Sequence, residues 1–219
     1  MTASFSPPGG TRLHLMRRVV IHKREKEDMS RILAFSGSSR KESFNKKLVK
    51  IAAIGAEEAG ASVTVIDLAD YPMPLFDEDL EAKEGIPKNA LKFKKLLMEH
   101  DAIMIASPEY NSAFSPLLKN VLDWASRTES KEESPLAAYQ GKVAVIMSAS
   151  PGALGGSRGL VFLRMLLANM GVIVLPEQKA ISAAFKAFNK DGSLSDEKNQ
   201  KSVLEIGSKL ESAVSKLKG

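Results

Sequence analysis

Three segments rich in hydroxyls, amides and glycines carry the residues whose types and spacing suit them to chemistry. The first, Ser36-Gly37-Ser38-Ser39-Arg40-Lys41-Glu42-Ser43-Phe44-Asn45, leads into a helical pattern. Unpaired N–H groups and the positive end of the dipole gather at a helix N-terminus, so with the Ser hydroxyls and Arg40 this segment suits a phosphate. The competing reading is an ordinary turn with Ser43 as the helix cap. The second, Ser107-Pro108-Glu109-Tyr110-Asn111-Ser112, suits a loop whose backbone meets the edge of a planar heteroaromatic ring, and reads equally well as a structural turn. The third, Ser148-Ala149-Ser150-Pro151-Gly152-Ala153-Leu154-Gly155-Gly156-Ser157-Arg158-Gly159, has glycines that admit a close approach of backbone to ligand.

Several chemistries are excluded by what the chain lacks. It has no Cys, which removes thiolate nucleophiles, dithiol redox pairs and disulfide scaffolds. A low-molecular-weight phosphatase places a similar loop after its first strand, but it needs the Cys. Of three His, only His100 lies beyond residue 28, so neither a His-rich metal site nor a Ser-His-Asp triad is expected. The glycines near 152–159 have the wrong spacing for a dinucleotide fingerprint, and no Gly-Lys-Ser/Thr of a Walker motif occurs. Redox chemistry in this chain therefore calls for a bound cofactor.

The elements that must position these segments follow from hydrophobic periodicity. Arg31 to Ser36, Ala61 to Asp67, Asp101 to Ser107, Lys142 to Ser148 and Val172 to Leu175 read as five strands. Between them, Phe44, Leu48, Ile51 and Ala52 mark a helix ending near Gly60. Ile86, Ala90, Phe93 and Leu97 mark another after a long Pro-containing connection. Leu118, Val121, Leu122 and Ala125, then residues 157 to 170, and finally Val203, Ile206, Leu210, Val214 and Leu217 supply the remaining helices. Strand and helix in alternation predict an α/β, flavodoxin-like three-layer sandwich with a five-stranded parallel sheet of order 2-1-3-4-5. In such a sheet the ligand crevice opens beyond the carboxyl ends of the strands, between strands one and three, where the three segments sit.

The 219 residues carry a formal net charge of +5, and residues 1–28 alone contribute +3. The expected organisation is a disordered basic extension over 1–28, or an upstream start with Met29 as the alternative, followed by one domain over 29–219. The extension lacks the continuous apolar core of a secretory signal, and no apolar run approaches the roughly 18 residues of a membrane span. A body of only +2 has little footprint for nucleic acid. A cytoplasmic protein without nucleic-acid or membrane partners is the expectation.

Taken together, Gly37-Ser38-Ser39-Arg40-x-x-Ser43-Phe44-Asn45, Pro108-Glu109-Tyr110-Asn111, Leu118-Lys119-Asn120-x-x-Asp123-Trp124 and Ser150-x-Gly152 resemble the NADPH-dependent FMN reductase family of flavodoxin-like proteins, which includes quinone, chromate and azo-dye reductases. The resemblance covers roughly residues 30 to 215. It implies FMN as cofactor, NADPH or NADH as electron donor, and a small-molecule acceptor. Ser38, Arg40, Ser43, Phe44 and Asn45 would lie at the phosphate and ribityl chain, Pro108, Glu109, Tyr110 and Asn111 would border the isoalloxazine, and Ser150 and Gly152 would close its other edge. The family's frequent Asn-Tyr-Ser is replaced by Asn111-Ser112-Ala113-Phe114, so an aromatic at the cofactor mouth is displaced or lost.

The implied reaction is hydride transfer from NAD(P)H to the flavin and then two-electron transfer to the acceptor. The cofactor supplies this chemistry, so no catalytic side chain and no metal ligand are assigned. Tyr110, Asn111 and Arg158 are candidates for the substrate side, with capping or subunit bridging equally open for Arg158. The alternatives are a flavodoxin-type electron carrier, which tends to be strongly acidic, and a non-catalytic flavin-binding module. Residues 157–170 are apolar on nearly every face, so a homodimer or homotetramer packed through this helix or the preceding one is expected, against burial by the chain's own last helix.

Overall fold

Arg31–Ser36, the strand β1, buries every residue after Arg31, as an apolar run without alternation must when both faces of a sheet are covered. The computed structural model describes residues 29–219, and the expected extension over 1–28 lies outside the described residues. After β1 come α1 (Phe44–Glu58), β2 (Ser62–Ile66), a 3-10 turn (Leu68–Asp70), α2 (Glu78–Glu84), α3 (Lys88–Glu99) and β3 (Ala102–Ala106). The short strands β4 (Glu109–Tyr110) and β5 (Ala113–Phe114), α4 (Pro116–Ala125) and β6 (Val143–Ala149) follow. The chain closes with α5 (Ser157–Asn169), β7 (Ile173–Ile181), α6 (Ala184–Ala187) and α7 (Glu197–Lys218).

One parallel sheet runs in the order β2-β1-β3-β6-β7. With the β4–β5 hairpin set aside, this is the expected 2-1-3-4-5. Alternate strand residues enter two separate cores. Ile32, Ala34, Met104 and Val145 pack beneath α1 and α7, whereas Leu33, Phe35, Ile103 and Ile146 pack beneath α3, α4 and α5. Each helix thereby buries one stripe, and the loops at the carboxyl ends of β1, β3 and β6 emerge along one edge.

Three elements differ from expectation. β7 does not stop at Leu175 but continues to Ile181, with a register shift opposite Ala144 to Ile146. Pro176 has no N–H to give the ladder, and Arg164 of α5 donates to the displaced carbonyls of Val174 at 3.0 Å and Leu175 at 2.8 Å. The long connection before α3 holds α2, capped by Asp77, whose carboxylate accepts from the Asp79 and Leu80 amides. The segment after β3 is a two-residue hairpin with Asn111 and Ser112 at its turn, both at positive φ (51° and 70°), as a primed turn requires.

Candidate functional site

A cavity of ≈ 90 Å³ opens at the carboxyl edge of the sheet, walled by Ser38, Arg40, Ser43, Phe44 and Asn45 from the first loop, Pro108, Glu109 and Tyr110 from the second, and Ala149, Ser150 and Pro151 from the third. Nine of the eleven residues named from sequence are in this wall. Asn111 stands at the hairpin turn and Gly152 beyond Pro151, and neither lines the cavity. The motifs do not mark Ala149 or Pro151, since an apolar residue at a strand end carries no chemical signal of its own.

Local rules explain the placement. Ser43 is the N-cap of α1, its hydroxyl accepting from the Lys46 amide at 3.4 Å, as the capping reading expects, and its own proton stays available to a ligand. Ser38 is buried and accepts from the Arg40 N–H at 3.4 Å. Among the described residues the Arg40 guanidinium makes no hydrogen bond or ion pair. Two hydroxyls, an uncommitted guanidinium and the open first turn of α1 form a donor set that fits a phosphomonoester.

Two side chains have tasks other than those inferred from the motifs. Asn45 is buried, and its amide donates to the Ala149 carbonyl at 3.0 Å while accepting from the Ala149 N–H at 2.8 Å. It clamps the end of β6 to the start of α1. The Glu109 carboxylate turns from the cavity towards α5, accepting from Arg158 Nη2 at 2.7 Å, Arg158 Nε at 3.0 Å and the Gly159 amide at 3.1 Å. Burial works against its charge, but the Gly159 and Arg158 donors outweigh burial and hold the carboxyl below its ordinary value. Arg158 therefore bridges two loops of its own chain. Phe114, the displaced aromatic, is partly buried against the core beneath α3, α4 and α5, leaving Phe44 and Tyr110, the latter 49% exposed, as the aromatics of the wall.

Behind the first loop, Lys46 sits between Ser39 and Asp67. Its Nζ lies 3.2 Å from the Ser39 carbonyl and 2.5 Å from Asp67 Oδ2. Burial opposes the Asp67 charge, but Lys46 and the Ala69 amide prevail and keep its carboxyl below the usual value. The sequence motifs do not single out Lys46. The signal available is a Lys three positions after the cap and an Asp at the end of strand two. Neither has meaning until β1 and β2 are paired.

Residues 30–186 match the family described as NADPH-dependent FMN reductase. The chain is 34% identical over 193 residues to an NAD(P)H-dependent FMN reductase of Pseudomonas aeruginosa, covering 88% of this chain and 99% of that protein. It is 32% identical over 194 residues to an NADPH:quinone oxidoreductase of Arabidopsis thaliana, covering 86% and 94%. Among solved structures it resembles FerB, a flavoenzyme NAD(P)H:(acceptor) oxidoreductase from Paracoccus denitrificans, with a TM-score of 0.72 and 28% identity over 86% of this chain and 98% of that one.

Proposed function

Since the chain belongs to the NADPH-dependent FMN reductase family, we propose that FMN binds over the cavity at the carboxyl edge, which at ≈ 90 Å³ takes only part of it while the rest lies across the loops that wall it, and that the holoprotein passes electrons from NAD(P)H to a small acceptor of the quinone class. The observation that carries this reading is the meeting of Ser38, Arg40 and Ser43 with Pro108, Tyr110 and Ser150 around one cavity. Bound there, FMN supplies hydride acceptance and two-electron delivery.

The protein's own residues bind and orient. Ser38, Arg40, Ser43 and the first amides of α1 hold the phosphate, where each dipole or charge contributes about 0.3–1 kcal/mol at an exposed site. Micromolar affinity corresponds to about 8 kcal/mol, so the phosphate contacts cannot supply it alone. Burying about 200 Å² of ring against Pro108, Tyr110 and Pro151, at about 25 cal/mol per Å², adds about 5 kcal/mol before ordering costs. In the 150–156 loop the Ser150 and Gly152 amides are already engaged, by the Ile181 carbonyl at 3.0 Å and the Ser150 hydroxyl at 3.3 Å, so this loop would meet the charge on the reduced ring through the Ser150 hydroxyl. Glu109 and Arg158 hold that loop and the hairpin in register.

The outer face of α5 bears Val161, Phe162 and Met165, exposed by 62%, 46% and 57%. α7 packs on the opposite side of the sheet and leaves this face uncovered. Self-association through it, as a homodimer or a higher assembly, belongs to the same proposal. Among the described residues no helix is long and apolar enough to cross a membrane; a cytoplasmic location is part of the proposal.

A turnover screen of the FMN-loaded protein across quinones, free flavin, azo dyes and chromate, with NADH and NADPH as donors, tests the reading. Turnover with at least a quinone is expected. No oxidation of either donor in the presence of any acceptor would overturn it.

A further inference from the structure

We infer that Lys46, braced by Asp67, is a positioning residue that fixes the orientation of the Ser39–Arg40 peptide in the FMN phosphate loop; this rests on the cavity being the FMN site. The atoms of that peptide unit are coplanar and trans, so the Ser39 carbonyl and the Arg40 N–H point in opposite directions. The carbonyl is taken by the Lys46 ammonium at 3.2 Å. The N–H on the other side of the same unit points to the Ser38 hydroxyl at 3.4 Å, and Ser38 lines the cavity.

A flip of this one peptide would exchange the two ends. The Ser39 oxygen, a negative dipole end, would then face the side on which Ser38 and Arg40 meet a phosphate, and a donor would become a repulsive acceptor. Loops of this kind hold few internal hydrogen bonds, so the unflipped state needs a partner for the carbonyl outside the loop. Lys46 is that partner. Its side chain is only 17% exposed, and its Nζ is fixed laterally by Asp67 Oδ2 at 2.5 Å. Asp67 is itself anchored, accepting the Ala69 amide at 3.0 Å as the cap of the turn at Leu68–Asp70. A chain of contacts thus runs from the end of β2 through α1 to the first loop, joining two neighbouring strands to one peptide.

A rival explanation is that Lys46 acts only as a positive charge near the phosphate. The two explanations differ in sign at Asp67. If charge alone counts, neutralising Asp67 removes repulsion and FMN binds as well or better. If Asp67 braces Lys46, neutralising it loosens the carbonyl's partner and FMN binds more weakly.

The test is a set of fluorescence titrations with FMN and with riboflavin, which lacks the phosphate, on the full chain and on Lys46→Met, Asp67→Asn and Arg40→Ala, with thermal midpoints alongside. Lys46→Met is expected to weaken FMN about tenfold, which is about 1.4 kcal/mol, and to leave riboflavin affinity nearly unchanged, with a thermal midpoint lowered by the lost Asp67 pairing but still above the titration temperature. Asp67→Asn is expected to weaken FMN by a smaller factor, again sparing riboflavin. Equal losses for FMN and riboflavin, no loss in Lys46→Met, or tighter FMN binding in Asp67→Asn would overturn the inference. Arg40→Ala separates the two levels: if it weakens FMN while Lys46→Met does not, only the positioning role fails. If Arg40→Ala also leaves FMN unaffected, the cavity is not the phosphate site and both fail.

Discussion

The Asn45 side-chain amide grips the Ala149 backbone twice, accepting its N–H at 2.8 Å and donating to its carbonyl at 3.0 Å. This joins the first turn of α1 to the last residue of β6, the two walls between which the cavity opens. An amide is the group suited to the task, since it offers one donor and one acceptor side by side. Asn45→Asp keeps the acceptor but places a carboxylate against the Ala149 carbonyl. Leaving a buried polar group unsatisfied costs about 1–3 kcal/mol, more for a charge. Urea denaturation at neutral pH should show at least that loss, together with weaker FMN binding.

Glu109 and Arg158 predict a pH dependence. The Glu109 carboxyl is held below its ordinary value of 4.5 in the folded chain. Its contribution is therefore present above that value and is lost as pH falls through the lowered folded one. Glu109→Gln should be less stable than the parent at pH 7, and the gap should close in acid. Denaturation midpoints between pH 7 and pH 3 check this. A gap that widens as the pH falls would reverse the assigned sign.

A position within the third loop separates backbone strain from collision. Gly156 has φ of 90°, and a Cβ placed on it would lie 1.9 Å from Ser148 Oγ. A left-handed conformation imposed on a non-glycine residue costs about 1–3 kcal/mol, and the clash adds to it. Among the described residues Ser148 Oγ has no hydrogen-bond partner and is buried, so Ser148→Ala should be neutral or stabilising. In the double variant Ser148→Ala with Gly156→Ala, thermal unfolding should recover the part due to the clash and retain the part due to φ.

The outer face of α5 predicts the oligomeric state. Phe162→Glu places a charge in the centre of the exposed Val161, Phe162 and Met165 patch. Light scattering at micromolar concentration should report a dimer or tetramer for the parent chain and a monomer for the variant, with FMN affinity retained. A monomeric parent would remove this face as an interface.

Much of this arrangement is legible in the sequence, for a physical reason. Strands such as β1 and β3, buried on both faces, announce themselves as unbroken apolar runs, and the loops beyond them are short enough that motif order gives spatial order. The rest depends on pairings that a linear pattern does not encode. Pro176 argues locally for the end of a strand, and only Arg164, reaching from α5, makes the displaced carbonyls tolerable. Glu109 sits in a motif that predicts a ring-edge contact, yet its carboxylate is drawn to Arg158 and Gly159, about fifty residues away. Asn45 and Lys46 are adjacent in sequence and serve different neighbours of α1, one clamping β6 and the other bracing against the end of β2.

Whether this chain moves electrons from NAD(P)H through FMN to an acceptor is decided by the visible flavin band of the FMN-loaded protein under anaerobic conditions. The band should bleach on addition of NADPH or NADH and return on addition of excess quinone. A band that stays oxidised with both donors would be incompatible with this function, and one that bleaches but does not recover would remove the quinone class as its acceptor.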